Sequence, residues 1–110
     1  IIHGDGRQKR NYVHVQDIGE GSMLGLNKKL INKSFFLVSK KNISIINVAK
    51  LIINLTESKS KIIINKKKKR LNDFSSNSIY PKNQNNIFRW QQKYDLKSGL
   101  KQYIKTQKNL

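Results

Sequence analysis

The sequence has no cysteine, a single proline and a single tryptophan in 110 residues. Without cysteine it can form neither a disulfide framework nor a thiolate metal site. No apolar run approaches the ~20 residues that a membrane-spanning helix needs, and the start carries no signal-peptide pattern. The two histidines, His3 and His14, have no cluster of metal-ligating neighbours in the sequence. These absences argue against disulfide-rich, membrane-spanning and metal-binding proteins.

Acidic residues are also scarce, which limits the acid–base chemistry that the chain could carry. There are 6 of them, and some, such as Asp17 and Asp95, stand where helices are expected to begin. A carboxylate pair for general acid–base catalysis therefore has little support. No serine lies in a recognisable nucleophile context, so the sequence shows no catalytic constellation.

Positive charge, by contrast, is abundant, with a formal net charge of +17. Such an excess usually points to nucleic acid or an anionic surface. Here Lys, Ile and Asn, which share A/T-only codons, make up roughly two-fifths of the chain, far above ordinary usage. A base-biased genome explains this composition without a basic groove. Arginine, which binds phosphates in a bidentate manner, occurs only at Arg7, Arg10, Arg70 and Arg89, so these positions are the informative ones.

The length allows one domain with a modest core. The chain begins at Ile1, inside a segment that is expected to be a strand, and it has no initiator methionine there. We therefore expect residues 1–110 to form a single C-terminal region of a longer protein.

Hydrophobic patterning predicts a mixed α/β fold in which short strands alternate with helices. Strands are predicted at 1–3, 11–15, 34–39 and 61–65, and helices from Asp17 to about Leu30, over 45–55, over about 82–90 and after Asp95. Asp17 with Glu20 three residues later forms a capping-box pattern. Ser44 and Asp95 are predicted to cap the helices that follow them.

The glycine-rich segment GDGRQ at 4–8 raises the question of a phosphate-binding loop. It lacks the third glycine of a dinucleotide fingerprint and the Lys-Ser/Thr pair of a P-loop, and a strand is expected to follow it. We therefore interpret it as a tight turn whose glycines adopt positive φ. The KKKKR run at 66–70 is interpreted as a solvated loop, because no aromatic ladder accompanies it for stacking on bases.

Four collinear motifs nevertheless resemble those of one enzyme family. The run GDGRQKRNYVHVQD at 4–17 resembles G-x-G-x-Q-x-R-[DN]-[YFW]-x-x-V-x-D, SIINVA at 44–49 resembles S-I-x-x-[LV]-A, and RLND at 70–73 resembles R-x-x-D. The ending from Trp90 to Ile104 is similar to G-W-x-P-x-x-x-L-x-x-G-L-x-x-x-[IV], with Arg89 and Gln92 in place of its Gly and Pro. The family is that of the extended short-chain dehydrogenase/reductase enzymes, the NAD-dependent nucleotide-sugar epimerases and dehydratases.

The resemblance covers essentially the whole chain and implies its fold class. It implies the α/β, C-terminal substrate-binding part of an extended Rossmann-type enzyme, incomplete as a stand-alone fold. NAD would be bound by an N-terminal part that carries GxxGxxG, and the YxxxK pair of the redox chemistry would lie there too; neither motif occurs in this chain. The implied partner is a nucleotide-sugar, and the implied parent enzyme is a cytoplasmic isomerase or lyase that could be a homodimer. The fragment alone is expected to be inactive.

The same resemblance implies substrate contacts for five residues. Arg10 would bind the substrate pyrophosphate, with Tyr12 facing the same site. Arg70 would be the second pyrophosphate arginine, Asp73 would bond the nucleoside ribose, and His3 would lie beside the base. A diphosphate favours delocalised, bidentate cations, so the chemistry agrees with arginine at two of these positions.

Two other hypotheses stay open at this point. A small lysine-rich nucleic-acid-binding module would explain the charge and would bind with a steep salt dependence, although the codon bias disfavours it. A truncated remnant without function would explain the missing catalytic motifs. The sequence also leaves open which sugar nucleotide is bound, and whether the parent enzyme is an epimerase, a dehydratase or a decarboxylase.

Overall fold

The computed structural model describes residues 1–68 and 88–108. Its strands are β1 (Ile2–His3), β2 (Lys9–Asn11), β3 (Asn42–Ser44) and β4 (Ile64–Asn65), and its helices are α1 (Val15–Gly25), α2 (Ile45–Thr56) and α3 (Leu96–Lys108). Single 3₁₀ turns lie at Lys28–Leu30 and Lys66–Lys68.

The strands of the described part form two small sheets. β1 pairs with β4 in parallel, and β2 pairs with β3 in antiparallel, with Arg10 opposite Ile43. Two- and three-residue strands in two-stranded sheets are marginal by themselves, so packing by helices and side chains must hold them in place. The mixed α/β prediction is confirmed in class.

The glycine-rich segment is a turn that joins β1 to β2 and closes onto α2. Gly4 and Gly6 have φ of 87° and 72°, which is the left-handed region that glycine enters freely. The carbonyls of Gly6 and Gln8 accept hydrogen bonds from the backbone N–H groups of Ile46 (3.0 Å) and Ile45 (3.1 Å). The predicted tight turn is therefore confirmed, and its acceptors satisfy donors at the start of a helix.

Helix α2 matches its prediction closely. Ser44 is the N-cap, and its hydroxyl accepts a hydrogen bond from the N–H of Asn47 at 3.4 Å. The helix ends at Thr56, because Glu57 adopts the left-handed conformation with φ 53°. Asp95 likewise precedes α3, and its Oδ1 accepts a bond from the N–H of Ser98 at 2.7 Å. Both caps follow from local sequence alone.

The predicted strand at 11–15 and the predicted cap at Asp17 are wrong. The strand is β2 and stops at Asn11, which pairs with Asn42, the first residue of β3. The Asn11 side chain bridges to Ser39: its amide donates to the Ser39 carbonyl (2.9 Å), and its oxygen accepts from the Ser39 N–H (2.7 Å). Helix α1 begins at Val15 with His14 as its N-cap, and it ends at Gly25 rather than near Leu30.

The predicted strand at 34–39 is also wrong. Residues 34–39 pair with no strand of the described part, and this apolar run packs by its side chains instead. Phe35 stacks on Phe88 with ring centroids 4.5 Å apart, and Leu37 packs against the same core. Of the predicted strand at 61–65 only β4 forms. The predicted helix at 82–90 is absent at residues 88–90, and the rest of it lies outside the described residues.

The core is small and is centred on Trp90. Leu30, Phe88 and Trp90 are the buried apolar residues of the described part, with Trp90 2% exposed. Gly21 lies directly against this core: a Cβ there would be 3.0 Å from Trp90 Cδ1 and closer still to the Leu37 methyl groups. Helix α1 can therefore approach the tryptophan only because position 21 has no side chain.

Replacing Gly6 by Ala should lower the free energy of unfolding by about 1–3 kcal/mol. The left-handed φ is unfavourable for alanine, and the new methyl group would lie 3.1 Å from Cβ of Ile46. Urea unfolding measures the change. Gly19→Ala is the matched control, since a Cβ at this helical position meets nothing within 4 Å and should raise stability by about 0.5–1 kcal/mol. Equal effects at the two positions would contradict this account of the turn.

Asp95 should make the stability of α3 depend on pH. Hydrogen bonds from the backbone and hydroxyl of Ser98 lower the pKa of Asp95 below its ordinary value of 3.8. Because the folded pKa lies below the unfolded one, the cap stabilises the fold above about pH 4 and is lost as the pH falls through the folded value. Asp95→Ala should cost about 1 kcal/mol at neutral pH, with less lost in acid because the carboxyl is already protonated.

Asp95→Asn is the matched control, since asparagine caps as well as aspartate but does not titrate. Urea unfolding of the three proteins between pH 2.5 and 7 measures the differences. A gap between wild type and Asp95→Ala that stays constant over this range would contradict a charged cap.

Candidate functional site

Arg10 lies in β2 and is half-buried. Its Nη1 donates a hydrogen bond to the carbonyl of Lys9 at 3.1 Å, and antiparallel pairing with β3 fixes the backbone on either side of it. The guanidinium therefore belongs to an ordered element rather than to a solvated loop. An arginine held in this way has less rotamer freedom to lose when it binds an anion.

Tyr12 follows β2 and lines a cleft of about 250 Å³ between the start of α1 and the side of α3. Aromatic side chains dominate its walls: His14 and Tyr94 lie with ring centroids 4.5 Å apart, and Tyr103 of α3 closes one side. Gly99 lets α3 approach, since a Cβ there would be 2.9 Å from Cδ2 of His14. The cleft is mostly apolar and carries few polar groups that could orient a ligand.

The predicted substrate residues are only partly brought together by the described structure. Arg10 and Tyr12 lie two residues apart at the end of β2, whereas His3 is exposed in β1, which belongs to the other sheet. Arg70 and Asp73 lie outside the described residues. The substrate roles of all five remain predictions.

A cluster around Asp17 joins α1 to the segment before α3. Asp17 is fully buried, and its Oδ1 and Oδ2 accept hydrogen bonds from the backbone N–H groups of Lys93 and Tyr94, each at 3.0 Å. Its backbone carbonyl accepts a third bond, from Nε1 of Trp90 at 2.7 Å. Sequence analysis gave Asp17 the role of a helix cap, so this role was missed. The V-x-D ending of the first motif was the one signal that marked the position.

An ion pair at the surface flanks this cluster. Nζ of Lys93 lies 2.7 Å from a carboxylate oxygen of Glu20, and the hydrogen bond and charge of Glu20 raise the pKa of Lys93. Both side chains are about half exposed or more, so solvent screens the pair and it contributes little to stability. The buried bonds of Asp17, not this pair, hold the two segments together.

The longest helix of the described part has 13 residues, and none of the helices in that part qualifies as a membrane span.

Three solved structures share this arrangement of elements. UDP-glucose 4-epimerase from Thermotoga maritima, in complex with UDP-glucose, superposes with a TM-score of 0.80 over 96% of this chain at 21% identity. dTDP-glucose 4,6-dehydratase from Bacillus anthracis, in complex with NAD, gives 0.78 over 98% at 19%. UDP-glucuronic acid 4-epimerase from Bacillus cereus, in complex with UDP-glucuronic acid and NAD, gives 0.77 over 96% at 19%.

These likenesses decide the architecture. The chain has the fold of the C-terminal part of an extended short-chain dehydrogenase/reductase. The predicted fold class is thereby confirmed. The chain spans 34–35% of the length of these three proteins. No protein-family model matches the sequence, and no curated protein matches it.

Replacing Asp17 by Asn should lower the free energy of unfolding by about 1–3 kcal/mol. Asparagine offers one acceptor oxygen where aspartate offers two, so one of the two part-buried backbone N–H groups would lose its partner. Urea unfolding followed by the fluorescence of Trp90, the single tryptophan, measures the loss. Glu20→Gln is the control on the same helix, and it should have little effect because its ion pair is exposed. Comparable losses in the two variants would contradict the role given to Asp17.

Proposed function

We propose that the chain is the nucleotide-sugar-binding part of an NAD-dependent sugar-nucleotide epimerase or 4,6-dehydratase. The observation that carries the proposal is the shared fold, since the three similar proteins are sugar-nucleotide enzymes and two were solved with a UDP-sugar. The first motif runs through the glycine turn and β2, so the resemblance in sequence falls on ordered elements of that fold.

We assign binding of the substrate diphosphate to Arg10. Its guanidinium is delocalised and offers paired N–H donors that match phosphate oxygens, which a lysine cannot do. Because β2 is paired on one side with β3, the arginine is held at a defined position before the ligand arrives. Arg70, Asp73, Tyr12 and His3 complete the proposed set on the strength of the resemblance.

NAD belongs, in this proposal, to the part of the fold that this chain does not span. The glycine turn does not fit a dinucleotide, because its carbonyls of Gly6 and Gln8 face the first N–H groups of α2. A pyrophosphate needs those N–H groups as donors, and here they are already used. When bound, NAD would take a hydride from the sugar and return it; this chain would bind and orient the nucleotide-sugar, without turnover by itself. A cytoplasmic location and a homodimeric parent are carried along from the resemblance.

Arg10→Ala should weaken binding of UDP-glucose about 10- to 150-fold. A charge-assisted hydrogen bond contributes about 1.5–3 kcal/mol, and 1.4 kcal/mol corresponds to a factor of ten. Titrations of the chain with UDP-glucose, UDP-glucuronic acid and dTDP-glucose, followed by the NMR shifts of Tyr12, which every variant retains, give the dissociation constants. Arg7→Ala is the matched control, because it removes the same charge from an exposed position three residues away.

Two results would contradict the proposal. One is equal affinity in the Arg10→Ala and Arg7→Ala variants. The other is binding of duplex DNA, with a steep salt dependence, by a chain that binds none of the three sugar nucleotides.

A further inference from the structure

A basic cleft lies beside the C-terminal end of α1. It has a volume of about 610 Å³ and is lined by Lys29, Lys33 and Arg89 above an apolar floor. This volume lies in the range that small molecules occupy in proteins. None of the described residues that line it is acidic. We call this feature the α1-end cleft.

The three cationic side chains of the cleft are available to a ligand. Within residues 1–68 and 88–108, none of Lys29, Lys33 and Arg89 takes part in an ion pair. All three are exposed, so a ligand reaches their N–H donors without first breaking a contact inside the protein. An anion with several oxygens could accept bonds from more than one of them.

The turn after α1 holds the two lysines on an ordered backbone. Oδ1 of Asn27 accepts a hydrogen bond from the N–H of Lys29 at 3.0 Å. The N–H of Leu30 bonds to the carbonyl of Asn27 (2.8 Å), and the N–H of Lys33 bonds to the carbonyl of Leu30 (3.2 Å). Because Leu30 is buried in the core, the turn is anchored between the two lysines. Both ammonium groups therefore extend from a fixed part of the fold.

The partial negative charge at the end of α1 does not outweigh these cations. The C-terminus of a helix carries about −0.5 of an elementary charge, against three positive side chains here. Two of the last carbonyls, those of Met23 and Leu24, already accept bonds from the N–H groups of Leu26 and Asn27 at 3.2 Å each. These acceptors are satisfied within the chain, so an anion in the cleft does not face them unpaired.

Arg89 distinguishes the α1-end cleft from a patch of surface lysines. Codon bias accounts for lysine in this chain, but arginine is rare in it, and the motif that the ending resembles has glycine at position 89. Arg89 stands between the buried Phe88 and Trp90, so the core fixes its backbone while its side chain is exposed. A guanidinium binds phosphate oxygens through paired N–H donors, which a lysine cannot do.

We propose that the α1-end cleft binds a small molecule that carries phosphate groups. Three cations with no acidic residue beside them match a chain of phosphates, and Leu24, Leu30 and Phe88 offer apolar surface to a ring or chain attached to it. The cleft lies at the opposite end of α1 from Tyr12, and this helix of 11 residues is roughly 17 Å long. The inference uses neither Arg10 nor Tyr12, so it does not depend on the proposed function.

A nucleic-acid strand is a poorer occupant of the cleft. Grooves that bind single strands track the backbone with successive cations and present aromatic rings on which bases stack. Here the cations surround one cavity, and the aromatic residue among the described ones that line it, Phe88, is buried. A compact phosphate-bearing molecule fits this arrangement better.

Calorimetric titration of the chain with tripolyphosphate and with ATP tests the proposal. At an ionic strength of about 0.15 M, exposed charges more than about 8 Å apart are largely screened, so a local site should still bind one molecule per chain. Arg89→Gln should weaken the binding of both probes about tenfold or more. Tighter binding of ATP than of tripolyphosphate identifies an organic phosphate as the ligand, and equal or weaker binding of ATP identifies an inorganic polyphosphate.

Lys29→Gln and Lys28→Gln form a matched pair of variants. They remove the same charge from adjacent exposed residues of one turn, but Lys28 does not line the cleft. Lys29→Gln should weaken the binding of tripolyphosphate about tenfold. Lys28→Gln should change it by less than about twofold, because it alters only a screened charge. Equal midpoints of urea unfolding verify that the variants are folded.

Equal losses in the Lys28→Gln and Lys29→Gln variants would overturn the inference, since binding would then follow net charge alone. So would tripolyphosphate binding that Arg10→Ala abolishes and Arg89→Gln leaves unchanged, which would move the phosphates to the proposed substrate site. Failure of both probes to saturate the chain, or tighter binding of duplex DNA than of either probe, would also overturn it. If both sites exist, Arg10→Ala weakens the binding of UDP-glucose and leaves that of tripolyphosphate unchanged.

Discussion

The structure depends most on the bonds that the buried Asp17 makes with the segment from Trp90 to Tyr94. Both carboxylate oxygens accept backbone N–H groups there, and the Asp17 carbonyl accepts the indole N–H of Trp90. These three bonds connect residues more than 70 positions apart in the chain. A buried carboxylate is tolerable only when its oxygens are paired in this way. Asp17 is also in the first turn of α1, where the helix dipole favours a negative charge.

These three hydrogen bonds of Asp17 explain how so small a core can be ordered. Within residues 1–68 and 88–108 the sheets have two strands each, with strands of two or three residues, so they cannot hold the fold by themselves. Trp90 is oriented by its bond to Asp17 and fills the space against Gly21 and Leu37. Phe88 extends the same cluster by stacking on Phe35. Helix α1 and the segment from Trp90 to Tyr94 are thus fixed to each other.

Local sequence was sufficient wherever a few adjacent residues determine the conformation. The cap at Ser44, the cap at Asp95 and the positive-φ glycines each depend on neighbours within three or four residues, and all three were predicted. The prediction failed where a distant residue competes for the same groups. β2 ends at Asn11 because its partner strand, more than 30 positions away, ends at Asn42, and the carboxylate of Asp17 accepts bonds from Lys93 and Tyr94 instead of capping its own helix. The first motif marked Asp17 as part of a pattern but could not state its partners.

The net charge of the chain says little about its function, but the positions at which charged residues occur are more informative. The abundance of Lys, Ile and Asn fits a base-biased genome, and under that interpretation the net charge of +17 says little about ligands. Positions that do not follow this bias toward lysine are then the ones that we expect to be constrained. Position 10, inside a paired strand, has arginine and not lysine. The lysine ammonium is a point charge on a flexible stem and cannot replace the bidentate guanidinium. Lysine is kept out of residues 11–27, where α1 faces solvent with apolar side chains. These two departures from the bias, Arg10 and residues 11–27, are adjacent in the chain, so the segment that carries the proposed phosphate contact is also the segment with the least typical composition.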